Sequence, residues 1–422
     1  MSRRAVLWVA FVAVHVVVSV LGWVFPNEPM GDVYRVYEPW SGAYLNGGYA
    51  TGWDSTTGEA VRTWVGYVGL TETWVYPQLA LLPMLAAWVF GWATTYTPAW
   101  AIMVTLVDAA AFAVLVGRGR SSGRTAAAWF WIAFLALTGP VALYRLDAVT
   151  VALGILGCLW LVGRPWLGAT ILAVATWIKV WPAALLAAGV LAVRRRLTVV
   201  AAAAAVSAVT LGVVVLAGGG AHAFGFIGDQ TGRGLQVESP VSTGYLWDVM
   251  LGGSSRVFYN TDLLTFEVTG PFEAALVSAM TPVLAAAVFA VVLLGALKAW
   301  RGASFAALFP PLSLALVTVF IALNKVGSPQ YMVWLIVPLV AGLVIDRRRW
   351  WPPAALALLI ALATQIIYPL TYFDLLDAEP FPVVVITIRN ALLVALTVWA
   401  VVLLARVRPR RLVRPRVPVS AG

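Results

Sequence analysis

A carboxylate stands immediately beyond the first long apolar run, in Gly31-Asp32-Val33-Tyr34-Arg35-Val36-Tyr37-Glu38. An acid at such a boundary meets its substrate where hydrocarbon gives way to water. A carboxylate there suits a general base that takes a proton from a hydroxyl, provided burial or neighbours tune its pKa. Asp32 is the first candidate and Glu38 the alternate; the competing role for Asp32 is to cap the helix that follows. A second group is cationic. Lys179 falls within the apolar stretch 166–193, where a charge is functional by default unless it snorkels outward or pairs with an acid. Arg145 and Asp147 are near neighbours in a short connection, so they read as an ion pair with each other or as site groups. Asp108 and Arg389 each lie within apolar spans, where mutual pairing would offset the cost of burying either alone.

Other chemistries lose support. The chain has no Gly-rich phosphate loop ending in Lys-Ser/Thr, no His-Glu-x-x-His, no nucleophile elbow around serine and no Asp-x-Asp. A single cysteine, Cys158, allows neither an intramolecular disulfide nor a cysteine metal cluster. With only His15 and His222, a histidine-based metal site is not expected, and no metal or other cofactor is called for.

The elements that must position these residues are set by composition. Of 422 residues, 62% are hydrophobic and 11% charged, more apolar surface than a soluble chain could hide. Apolar runs long enough to span hydrocarbon recur at Ala5 to Phe25, Pro98 to Val116, Leu197 to Ala217, Thr281 to Leu297, Ala354 to Tyr368 and Val383 to Ala405. The run after Arg3 and Arg4 has no evident cleavage site and reads as a retained span. The fold class is therefore all-α: one integral domain, 1–422, a polytopic membrane bundle of about 11–13 helices.

The net charge of +10 reflects topology, not nucleic acid. Twenty of the 28 Lys and Arg cluster in short breaks between apolar runs and in the tail, 406–422, whereas sixteen of the eighteen carboxylates fall in the alternate connections. That segregation puts both termini in the cytoplasm, the tail near anionic headgroups, and two long loops, 26–73 and 218–273, outside. For Arg118 to Arg124, Arg164 and Arg194 to Arg196 all to lie inside, the Pro-broken stretch 74–92 must return to the outer side and 166–193 must form a hairpin with Lys179 near its tip. The alternative makes both single spans and moves those arginines outside.

Four stretches carry a resemblance: Gly31-Asp32 with Tyr37 and Leu45-Asn46-Gly47-Gly48; Trp74-Val75-Tyr76-Pro77-Gln78-Leu79-Ala80-Leu81-Leu82-Pro83; Ile178-Lys179-Val180-Trp181-Pro182; and Ser328-Pro329-Gln330-Tyr331-Met332-Val333-Trp334. In order and spacing the chain resembles the polyprenol-phosphate-dependent GT-C glycosyltransferases, especially bacterial α-mannosyltransferases of the phosphatidylinositol mannoside and lipoglycan type. It departs from them in having Tyr76-Pro77-Gln78-Leu79 for Tyr-Pro-Pro-Leu and Tyr144-Arg145-Leu146-Asp147 for Gly-Gln-x-Asn.

The resemblance implies Asp32 as catalytic base, a polyprenyl-phosphate sugar as donor, and a glycolipid or cell-wall glycan as acceptor on the outer face of the bacterial plasma membrane. A lipid phosphate gains charge as it leaves, so a cation beside it stabilises the transition state more than the ground state. Lys179 and Arg145 are the first candidates, with Lys325 next, though Lys325 could equally meet headgroups. Tyr37, Tyr76, Asp147, Gln330 and Tyr331 could hold the sugar, and Arg233, Gln236, Glu238 and His222 of the second loop could hold the acceptor; interface anchoring and surface solvation are the competing roles. The rival functions are a transporter or flippase, with buried charges lining a midplane path, and a surface-glycan polymerase or ligase.

Overall fold

The computed structural model describes residues 2–53, 60–261 and 263–408; Asp54, Glu59, Asp262 and the tail from residue 409 onward, with Arg410, Arg411, Arg414 and Arg416, lie outside the described residues. The protein is a polytopic membrane helical bundle. Helix α1 (Arg3–Val24) opens on Ser2, whose hydroxyl accepts from the Ala5 amide. A π turn over Val33–Tyr37 then leads into α2 (Glu38–Leu45) and the antiparallel hairpin of β1 (Tyr49–Trp53) and β2 (Ala60–Trp64). Short helical turns around α3 (Leu81–Ala87) precede α4 (Tyr96–Val116) and α5 (Ser122–Thr138). The Trp88 indole donates to Ser41 and the Tyr96 hydroxyl to the Met84 carbonyl, which ties residues 81–90 to the start of α4 and to α2. The stretch 74–92 thus stays at the Asp32 end of the bundle.

Helices α6 (Leu146–Trp160), α7 (Pro165–Ile178) and α8 (Ala183–Ala192) form three short, closely packed traverses. A Cβ on Gly168 would lie 2.7 Å from the Gly157 carbonyl oxygen, so glycine is what lets α6 and α7 approach. Trp181 donates to Thr150, a Cβ on Gly154 would meet Leu185, and one on Gly189 would meet Leu161; α8 therefore runs alongside α6 in the same direction. Residues 165–192 are a helical hairpin with Lys179 at its tip. Of the two arrangements the sequence allows for 166–193, the chain adopts the hairpin and not the single span.

Helix α9 (Arg196–Leu216) leads to the second long loop, which holds α10 (Gly225–Thr231), α11 (Thr243–Met250) and a small antiparallel sheet ordered β3-β5-β4 from β3 (Leu235–Gln236), β4 (Arg256–Asn260) and β5 (Thr265–Thr269). The five short strands, two in the first loop and three in the second, qualify the all-α expectation. They occur where apolar periodicity gives way to aromatic and β-branched residues, whose local signal is weak beside that of the spans. The remaining helices are α12 (Glu273–Trp300), α13 (Phe305–Ala322), α14 (Ile336–Ile345) with a 3-10 lead-in over Pro329–Leu335, α15 (Arg347–Gln365), α16 (Tyr372–Leu376) and α17 (Pro380–Ala405).

Among the described residues eight helices are long and apolar enough to cross a membrane; α6, α7, α8 and the unit 329–345 are shorter apolar helices. Tracing these twelve in turn brings Arg3 and Ala405 to the same end of the bundle, opposite Asp32. The core is led by α13 and α14, buried nearly throughout, whereas α12 presents most of its surface outward.

Asp108 and Arg389 do not pair. Asp108 accepts from His15 at 3.1 Å, while the Arg389 guanidinium donates to the Glu238 carbonyl. The two lie at different depths: Asp108 is midway along α4, and Arg389 is in the third turn of α17, near the second loop.

Candidate functional site

Asp32 follows a sharp turn in which Asn27 and Glu28 take positive φ. The turn is fastened from outside: the Tyr368 hydroxyl donates to the Asn27 carbonyl and Arg145 Nη1 to the Pro29 carbonyl at 3.0 Å. Asp32 opens the helical turn but makes no capping hydrogen bond with its side chain. Its carboxylate instead lies 3.3 Å from Nε of Arg145, so the capping role fails on geometry. The arginine side chain is 7% exposed and the aspartate 34%, leaving one face of the carboxylate open.

Arg145 and Asp147 also do not pair with each other. Arg145 sits in extended backbone just ahead of α6, and Asp147 is one step into the helix, so the two side chains diverge. Asp147, with no exposed side-chain surface, accepts from Lys179 Nζ at 2.6 Å and from the Trp334 indole at 2.5 Å. Lys179 reaches it because α7 stops there in extended backbone before Pro182 starts α8. Trp334 stacks on Trp181 at 5.5 Å and on Tyr331 at 4.2 Å, and the Lys179 ammonium lies 5.6 Å from the Tyr76 ring and 5.9 Å from that of Tyr331.

Tyr37 links the two ion pairs. Its hydroxyl accepts the Leu146 amide, between Arg145 and Asp147, and its ring meets Tyr76 at 6.3 Å. Burial pushes the phenols of Tyr37 and Tyr76 well above their ordinary value.

Beside this cluster opens an apolar groove of about 350 Å³, lined by Tyr76, Lys179, Lys325, Tyr331 and Trp334 and walled by Met280 and Leu284 of α12. Two cations in a lipid-facing groove suit an anionic headgroup with a hydrocarbon tail. Arg145 is not among its lining residues; its guanidinium is spent on Asp32, two carbonyls and the Tyr368 hydroxyl.

The other expected residues fall at varying distances from this centre. Glu238 is 2% exposed, in a loop fixed by Gln236, whose side-chain oxygen accepts from the Gly327 amide and the Ser328 hydroxyl. Burial pushes its carboxyl up to about 7, against the Tyr372 hydroxyl and Arg389, which draw it down. Its charge is felt by Tyr331 and Tyr368, and Tyr368 also feels that of Asp32. Arg233 acts electrostatically on Tyr331. Gln330 is half-buried beside the groove but is not part of its lining. Glu38 acts electrostatically on Tyr96 of α4, and the backbone carbonyl of His222 accepts from Gln78; among the described residues neither side chain is a member of the ion pairs. Sequence reasoning missed Trp334 as an Asp147 partner, and it missed Tyr368, which lies more than 300 residues from the turn it fastens. Trp334 stood in a quoted motif; nothing local marked Tyr368. Among the described residues no group of three or more His, Cys, Asp or Glu is placed to hold a metal ion.

Fold and site together define a multi-pass helical membrane protein with paired charges at one end of its bundle, opening onto a lipid-facing groove. The model of glycosyltransferase family 87 matches residues 74–240, about two-fifths of the chain. That segment carries Tyr76, Arg145, Asp147, Lys179 and Glu238, and its similarity supports membrane glycosyltransferase activity. Asp32, Lys325 and Tyr331 lie outside it. No curated protein and no solved structure matches the chain.

Proposed function

We propose that the chain transfers a sugar, mannose being the first to test, from a polyprenyl-phosphate carrier to a hydroxyl of a glycolipid or cell-wall glycan at the outer face of the bacterial plasma membrane. The observation that carries this reading is the meeting of the Asp32·Arg145 and Asp147·Lys179 pairs beside an apolar groove that holds Lys179 and Lys325. The groove takes the lipid chain, and the two ammonium groups take its phosphate. Arg145 holds Asp32 in place.

The acceptor oxygen attacks the anomeric carbon as Asp32 takes its proton. The bond from that carbon to the phosphate oxygen breaks, its electron pair stays on the phosphate, and configuration inverts. Charge growing on the phosphate draws more from Lys179 and Lys325 in the transition state than before it. The Tyr76 and Tyr331 rings line the sugar's side of the centre, and Tyr37 is buried behind them. Neither a metal nor another cofactor has a step in this scheme.

The test is transfer in vesicles reconstituted with the full chain, radiolabelled polyprenyl-phosphate mannose and a glycolipid acceptor. Wild-type protein consumes the donor, and Asp32→Asn, correctly folded, loses roughly a hundredfold or more of the rate. Full activity in Asp32→Asn removes the base from the scheme. If a panel of lipid-linked sugars goes unconsumed, the transferase reading itself fails.

A further inference from the structure

At the end of the bundle opposite Asp32, a cleft of about 960 Å³ is lined by Arg3, Arg120, Arg347 and Arg348, with Trp129 and Trp351 among its walls and no carboxylate. The four arginines come from three places far apart in sequence: the start of α1, the turn before α5 and the start of α15. The acid next in sequence, Asp346, caps α15 by accepting the Arg349 amide at 3.2 Å and is not among the lining residues. Among the described residues none of the four arginines forms an ion pair. Orientation in a membrane needs arginines in the loops on one side, but it does not need them gathered around one cavity. All four are exposed, so water screens their mutual repulsion, and an anion seated between them is attracted by several charges at once.

We infer that this cleft binds the headgroup of an anionic phospholipid. The guanidinium groups supply forked donors for phosphate oxygens. The floor supplies apolar contact from Val6 and Ala126, and Val6, Val9, Trp129 and Trp351 lie open along the adjoining helix faces where acyl chains would run. Basic pockets between helix ends are the standing chemistry for lipid phosphates. This site is separate from the groove beside Asp32 and does not depend on the proposed transfer.

The experiment is native mass spectrometry of the purified full chain in detergent, titrated with phosphatidylglycerol, cardiolipin, phosphatidylcholine or glycerol phosphate. The anionic lipids bind in preference to phosphatidylcholine, and affinity falls about fivefold for each cleft arginine removed, as tested with Arg120→Gln and Arg347→Gln/Arg348→Gln. Arg194→Gln/Arg195→Gln removes the same charge from a loop outside the cleft and keeps binding within about twofold. Equal binding of phosphatidylcholine overturns the inference, as does equal loss in the control pair. Glycerol phosphate binding as tightly as the lipids would make this a site for free phosphate instead. Should the double variant fail to fold, Arg120→Gln alone decides the matter against the same control.

Discussion

Replacing Lys179 separates its two roles, as counter-ion to Asp147 and as a contact for donor phosphate. Its ammonium lies 2.6 Å from the carboxylate, with the aspartate side chain wholly buried and the lysine 14% exposed. At an effective dielectric of about 20 that approach is worth roughly 6 kcal/mol before the cost of desolvating both ions. Lys179→Met leaves Asp147 charged in the interior with the Trp334 indole as its remaining donor. Breaking such a pair costs about 3–5 kcal/mol. Lys179→Met/Asp147→Asn removes the stranded charge, and the asparagine oxygen can still accept from Trp334, so most of the lost stability returns.

Transfer behaves differently if Lys179 also contacts phosphate. A charge-assisted hydrogen bond of about 1.5–3 kcal/mol, lost in the transition state, slows the reaction roughly ten- to hundredfold. The double variant is therefore stable and slow. Melting in detergent gives the first half of the cycle, and single-turnover transfer with saturating acceptor gives the second. A double variant that transfers at the wild-type rate makes Lys179 a structural counter-ion and nothing more. A single variant as stable as wild type would show that the pair contributes little net free energy.

Three further outcomes follow from the geometry around this centre. Glu238 has its carboxyl raised from an ordinary 4.5 to about 7, so the folded state holds a proton that the unfolded chain gives up. Stability is therefore full below about pH 4.5 and declines as pH rises through about 7, by roughly 3 kcal/mol in all. Glu238→Gln escapes that decline, and its melting advantage over wild type should widen from pH 5 to pH 8; a constant difference refutes the burial argument. Gly327→Ala would place a Cβ 2.3 Å from the Ser239 backbone and so force apart the two loops that Gln236 joins, at a cost of about 1–3 kcal/mol or more visible in the melting midpoint. His15→Leu strands Asp108, which should lower the midpoint, and adding Asp108→Leu should restore it; no recovery would mean that His15 matters through its packing on Phe11 instead.

The spans were legible because hydrocarbon imposes one requirement on every residue in them, and a run of apolar side chains meets it without reference to the rest of the fold. The hairpin at Lys179 was legible for a related reason: proline and charge together stop a helix, and keeping the arginines on either side of it at one face favours a hairpin over a single span. The short strands were not. A strand such as Leu235–Gln236 exists because Val268 and Glu267 pair with it, and nothing in two residues announces that.

The ion pairs were misassigned in an instructive way. Proximity in sequence suggested Arg145 with Asp147, and shared apolar surroundings suggested Asp108 with Arg389, yet in the fold each of the four has another partner. Two residues apart across the start of a helix, side chains leave in different directions, so adjacency carries little pairing information where backbone geometry changes. What decides is which distant segment can close the site. Asp32·Arg145 fastens the first loop to α6, and Asp147 with Lys179 and Trp334 fastens α6 to the hairpin tip and to the lead-in of α14. Gln236 fastens the second loop to the same lead-in. Long-range pairs join these three segments where the groove opens, so placing a carboxylate and an ammonium there also assembles the wall of the site. A change at any one of these charges should therefore disturb both stability and binding, and only paired substitutions can tell the two effects apart.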